Sequence, residues 1–155
     1  MPMISNMDVF LKIAQEAHAE MQQMDARHRS PKPDGTPGFI IVFDPQRRSF
    51  KQALIAIAFS AMYFEALVYL SAHLRLGEAA ARKIDRMFYE DRLAELGITD
   101  SSLLIRAKDF RAARKEIIHE KAVGLTEMES SPTRRAQDVA ALALEFVSEV
   151  RAQIQ

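Results

Sequence analysis

The chain has 155 residues, 48% of them hydrophobic, with 21 Lys and Arg against 21 Asp and Glu and no cysteine. Such a length and apolar content fit one compact domain with a sizeable core and exclude disorder as the main state. Zero net charge excludes a global positive field for nucleic acid, so any anion site is local, and the lack of cysteine excludes disulfides, thiolate zinc sites and thiol nucleophiles.

The N-terminus "MPMISNMDVF" lacks a basic stretch followed by an apolar one, so no signal peptide is expected and the cytoplasm is the expected location. Residues 5–28 place Phe10, Ile13, Ala14, Ala17, Met21 and Met24 at three- and four-residue steps, which predicts an amphipathic covering helix. "SPKPDGTPG", Ser30 to Gly38, cannot be helical and reads as a loop. The following "FIIVF" is β-branched and aromatic but short. It reads as an extended segment without a partner strand in the chain, lying on the helices or pairing with its copy in a dimer.

Asp44 and Pro45 together mark a helix start, and Gly77 marks its stop. Between Lys51 and Arg75 the one formal charge is Glu65, and the apolar residues fall on every side of the helical wheel. This helix is therefore expected to be buried all round. Its length suits a bilayer, but an ionised Glu65 near mid-membrane would cost about 3 kcal/mol, and the other helices need a core to face. No membrane is expected, and the helix is expected at the centre of a bundle, shared with a dimer partner. A third helix is predicted over residues 78–96, with Ile84, Met87, Phe88, Leu93 and Leu96 inward and Gly97 as its stop. "TDSS", Thr99 to Ser102, supplies caps for a fourth over residues 102–122. The last helix starts near Ser131 and Pro132 and carries a stripe of Val139, Leu142, Ala143, Phe146, Val147 and Val150. The expected fold is all-α: an antiparallel bundle of four to five helices with a Pro/Gly-rich loop and a short extended segment after the first. Residues 1–48 form an N-terminal extension, and residues 49–155 form the bundle proper.

No glycine-rich phosphate loop and no HExxH motif is present, and the four histidines lie far apart in sequence, so neither a cofactor nor a metal is expected. The chemistry concentrates in the fourth helix. Arg106, Lys108, Arg111, Arg114, Lys115 and Lys121 face Asp109, Glu116 and Glu120 there, a local cationic excess. At 100° per residue, Leu103, Ala107, Phe110, Ile117 and Ile118 define the apolar face, and Arg114 sits near its centre. An arginine aimed at the core must be paired or line a cleft. Glu65, alone on its apolar helix, is the matching carboxylate, and a structural salt bridge is the plain alternative to a site. His119 lies about 140° round and about 7.5 Å along from Arg114, so the two do not share a stripe. Arg111, Lys115 and His119 do share one.

The arrangement Arg114-Lys-Glu-Ile-Ile-His119 resembles the R-x4-H signature of the HEPN superfamily. "FKQALIAIAFSAMYFEALVYLSA" looks like the first core helix of that family, with Glu65 as its acidic residue, and "FYEDRLAELGI" resembles the element between core helices. The resemblance covers about residues 49–150. It implies a homodimer whose two R-x4-H helices face one another across a cleft, and a metal-independent endoribonuclease, often the toxin of a toxin–antitoxin or phage-defence system. It further implies that His119 acts as general base or acid, that Arg114 holds the scissile phosphate, and that Glu65 orients the arginine. RNA affinity would rest on Arg106, Lys108, Arg111 and Lys115, with Arg47 and Arg48 as further contributors, and a cognate antitoxin protein would be a partner. Lys115 departs from the small polar residue common after the arginine. The alternative implied is a non-catalytic dimeric HEPN-like module binding nucleotide, RNA or a protein partner.

Overall fold

The computed structural model describes residues 5–41, 46–118 and 132–154. They form six helices and one two-stranded sheet: α1 (Met7–Arg27), β1 (Arg29–Pro31), β2 (Phe39–Ile41), α2 (Arg48–Leu76), α3 (Glu78–Ile84), α4 (Tyr89–Glu95), α5 (Ser101–Ile118) and α6 (Pro132–Ile154). The protein is mostly helical, as its sequence pattern predicts.

The first departure is the sheet. β1 pairs antiparallel with β2, with Arg29 opposite Ile41, Ser30 opposite Ile40 and Pro31 opposite Phe39. The extended segment therefore has its partner within the chain, in Arg29, which follows the first helix, and in Ser30 and Pro31, which the sequence pattern places in the loop. The turn between the strands is built as its prolines and glycines require. Asp34 Oδ1 accepts from the Thr36 amide at 3.0 Å and from the Thr36 hydroxyl at 2.7 Å, and Gly35 and Gly38 take positive φ angles of 72° and 121°. Val42, Phe43, Asp44 and Pro45 lie outside the described residues, so the expected cap at Asp44 does too. α2 starts at Arg48, with Arg47 left-handed at φ 51° and its guanidinium 4.2 Å over the Phe50 ring.

α2 is the axis of the fold. α1 packs along it, with Phe10 against Phe59. α6 runs parallel to it: Gln137 meets Ser49 near one end, Phe146 meets Phe64 in the middle, and Ile154 meets Arg75 at the other. α5 returns antiparallel to α6, since Arg106 pairs with Glu149 and Glu116 with Arg135. α2 is long and apolar enough to cross a membrane by length and composition, yet half of its most apolar stretch is buried inside the protein. Ala53, Ala56, Ala61 and Ala72 of α2, with Ala136, Ala140 and Ala143 of α6, are all fully buried. The inward stripe of α6 includes its alanines, and Leu142, expected inside, is 60% exposed. Within the single chain one flank of α2 stays open: Ile55, Ala58 and Tyr69 are half-buried and Met62 is exposed.

The helix predicted over 78–96 is broken at Asp85–Phe88 into α3 and α4. Arg92 explains why the break is tolerated. Its Nε donates to the Met87 carbonyl at 2.8 Å, its Nη1 to the Asp85 carboxylate at 3.1 Å and its Nη2 to the Asp85 carbonyl, so carbonyls freed by the interruption are satisfied. The break also turns Phe88 outward, to 59% exposure, and Tyr89 inward, to 4%. Phe88 had been expected inside. Gly97 ends α4 with φ 86°, and Asp100 Oδ1 accepts the Ser102 and Leu103 amides at 2.9 and 3.3 Å to cap α5. Ile118, expected on the apolar face of α5, is 41% exposed. Gly124 and Ser131 lie outside the described residues, while Pro132 opens α6 as its lack of an N–H favours.

Candidate functional site

Four aromatic rings form the floor beneath the charged residues. Phe64 of α2 lies 4.4 Å from Tyr89 of α4 and 5.3 Å from Phe146 of α6 between ring centroids, and Phe110 of α5 closes the circuit at 5.4 Å from Phe146 and 6.2 Å from Tyr89. Tilted pairs of this kind contribute about 0.5–1.5 kcal/mol each beyond burial. Their consequence for the site is rigidity, because two of the rings hold its polar groups in place: Glu65 follows Phe64, and Tyr89 carries its own hydroxyl.

Glu65, Tyr89 and Arg114 meet at the surface of this floor. The Tyr89 hydroxyl donates to Glu65 Oε1 at 2.6 Å, and Arg114 Nη1 donates to the Tyr89 oxygen at 3.1 Å and approaches Glu65 Oε1 at 3.4 Å. Glu65 and Arg114 side chains are each 37% exposed, so the pair is neither buried nor fully wet. Burial, then the bond to Glu65 and its charge, push the Tyr89 phenol far above its ordinary pKa, so it stays a protonated donor across physiological pH. The arginine is held through one nitrogen. Among the described residues nothing else bonds its Nε or Nη2, which leaves one edge of the guanidinium fork for a ligand with paired oxygens.

Arg111, one turn earlier on α5, is differently placed. It bonds both oxygens of Glu90, Nη2 to Oε1 at 2.8 Å and Nε to Oε2 at 3.2 Å, while its Cζ lies 4.2 Å over the ring of Phe88. The hydrogen bonds from Arg111, more than its charge, hold the Glu90 carboxyl below its ordinary range. Lys108 and Lys115 are exposed, and the Lys108 charge also acts on Glu90. Arg106 stands apart, paired with Glu149 of α6 about 12 Å along α5 from Arg114. His119 and Lys121 lie outside the described residues. A cavity of about 200 Å³ between α5 and α6, floored by Phe110, Ala113, Val139 and Phe146, shares the rings of Phe110 and Phe146 with the site but none of Glu65, Tyr89, Arg111 and Arg114. Among the described residues no three metal-ligating side chains converge.

Of the residues singled out in the sequence, Glu65 and Arg114 are thus in contact although 49 positions apart, and Arg111 is adjacent but engaged. Tyr89, Glu90 and the outward Phe88 had no assigned role. The available signal was "FYED", in which a buried tyrosine needs a partner for its hydroxyl. Comparison of the chain with protein-family models, curated proteins and solved structures finds no match.

Proposed function

We propose that the protein is a metal-independent endoribonuclease of HEPN type, an antiparallel helical bundle working as a homodimer with the R-x4-H helices lining a shared cleft, and the toxin of a toxin–antitoxin or phage-defence pair. The observation that carries this reading is the free edge of Arg114, steadied from behind by Glu65 and Tyr89. A carboxylate and a phenol that fix one nitrogen leave the other donors pre-oriented for a phosphate, which is the work an arginine performs in phosphodiester cleavage. In this scheme the ribose 2′-oxygen attacks phosphorus, the bond to the 5′-oxygen breaks, and His119 takes the first proton or returns one to the leaving oxygen. Arg114 binds the non-bridging oxygens. Glu65 is a positioning residue, and Tyr89 positions Glu65 in turn.

The open flank of α2 supports the dimer. Ile55, Ala58, Met62, Glu65 and Tyr69 follow at steps of three and four, so Glu65 sits inside a stripe that is otherwise apolar. An interface between copies along that stripe would bring two Arg114 edges toward one cleft and remove the obstacle posed by the angle between Arg114 and His119 on a single helix. The second reading, a non-catalytic dimeric module for nucleotide, RNA or protein, draws on the carboxylates that already occupy Arg106 and Arg111. Incubating the protein with assorted RNAs in EDTA, beside Arg114→Ala and His119→Ala variants, separates the two. Cleavage by the native chain that both variants lose is expected. Cleavage surviving in both refutes the site, and RNA binding with no cleavage selects the second reading.

A further inference from the structure

Phe88 is an exposed aromatic with an ordered back. It occupies the N-cap position of α4 in extended conformation, φ −68° and ψ 157°, so its ring points to solvent while the next residue, Tyr89, is driven into the core. Single exposed hydrophobic residues need no explanation in general. This one differs because its ring is clamped: the Arg111 guanidinium lies 4.2 Å over it, and that guanidinium is itself fixed by both oxygens of Glu90. The residue is nonetheless 59% exposed. It therefore presents open aromatic surface on a support that has already lost its rotamer freedom, so a ligand stacking there orders nothing new.

We propose that Phe88 is a stacking platform for an unpaired base of single-stranded RNA whose adjoining phosphate lies on Arg114. The proposal rests on the ribonuclease reading and deepens it. The placement follows from two short links. Arg111 and Arg114 are three residues apart on α5, with Cβ atoms roughly 5–6 Å apart as i,i+3 neighbours. Phe88 is covalently joined to Tyr89, whose hydroxyl accepts from Arg114. Platform and phosphate edge are thus within the span of one nucleotide. Exposed Lys108 and Lys115 on the same helix favour a polyanion over an apolar peptide as the occupant. Stacking alone reads no base edge, so the platform selects unpaired over paired strands rather than one base over another, since every base offers a π face.

The test uses His119→Ala protein, to prevent turnover, and a short single-stranded RNA with one 2-aminopurine. Its fluorescence reports stacking. Adding Phe88→Ala should weaken binding roughly tenfold and restore the quenched fluorescence, Phe88→Trp should retain both, and a fully duplex RNA should bind equally well with either residue. If Phe88→Ala binds and quenches like its parent while Arg114→Ala weakens binding, the platform is refuted and the phosphate site stands. If no RNA binds to the parent, both fail together.

Discussion

Tyr89→Phe is the smallest change that dismantles the polar cluster, since it keeps the ring packed on Phe64 and Phe110 and removes only the hydroxyl. Two hydrogen bonds go with it, the 2.6 Å donation to Glu65 and the 3.1 Å acceptance from Arg114. Bonds to charged partners contribute about 1.5–3 kcal/mol each. Both partners are 37% exposed, so water replaces much of what is lost, and the expected destabilisation is about 1–2 kcal/mol. In a chain of 155 residues that lowers Tm by about 2–8 °C. Thermal unfolding followed by circular dichroism measures it, with Tyr89→Ala as the contrast: loss of the buried ring should cost about 3–5 kcal/mol. A cycle with Glu65→Gln should be non-additive, because both changes act on the same bond: the amide offers at most a neutral acceptor where the carboxylate offers a charged one. A Tyr89→Phe protein as stable as the parent, or additive with Glu65→Gln, would refute the coupling drawn between the two residues.

Three further outcomes can be checked by denaturation. Glu90→Gln should destabilise the protein at pH 7, and its difference from the parent should shrink below about pH 4. The reason is that Arg111 holds the folded-state carboxyl below its unfolded value, so its contribution is complete above the unfolded pKa and is lost as pH falls through the folded one. Phe146→Ala, which removes a 2% exposed ring from the aromatic floor, should cost about 3–5 kcal/mol, whereas Leu142→Ala at 60% exposure should stay within about 0.5 kcal/mol; urea midpoints compare the two. Gly77→Ala should cost about 1–3 kcal/mol, since Gly77 has φ 88° and a Cβ there would meet nothing within 4 Å, leaving backbone strain as the whole effect.

The helices were readable because periodicity and caps agree along most of the chain. Gly77, Gly97 and Asp100 act where their chemistry places them, and Glu65 and Arg114 find each other because each is a charge on an apolar face. What the pattern hid has identifiable causes. The break at Asp85–Phe88 contains neither glycine nor proline; it depends on Arg92 reaching back to carbonyls of Asp85 and Met87, a tertiary detail with no local signature. Phe88 followed the helical period and was placed inside for that reason. β1 contains Arg29, Ser30 and Pro31, none of them a strong strand former, so the partner of β2 was invisible to propensity. Leu142 yields the inward stripe of α6 to Ala136, Ala140 and Ala143, which are fully buried while it is 60% exposed. Tyr89 was missed because a tyrosine at an apolar position gives no hint of what its hydroxyl meets.

The central claim is that the free edge of Arg114 binds an RNA phosphate while Glu65 and Tyr89 hold the other nitrogen. The most direct measurement is the NMR resonance of the Arg114 Nε–H group during titration with a single-stranded RNA in EDTA, using His119→Ala protein and assigning the signal by its loss in Arg114→Lys. A saturable shift of that resonance, matching the binding curve and weakened in Glu65→Gln, is the predicted result. RNA that binds at saturation and leaves the Arg114 Nε–H resonance unmoved would contradict it.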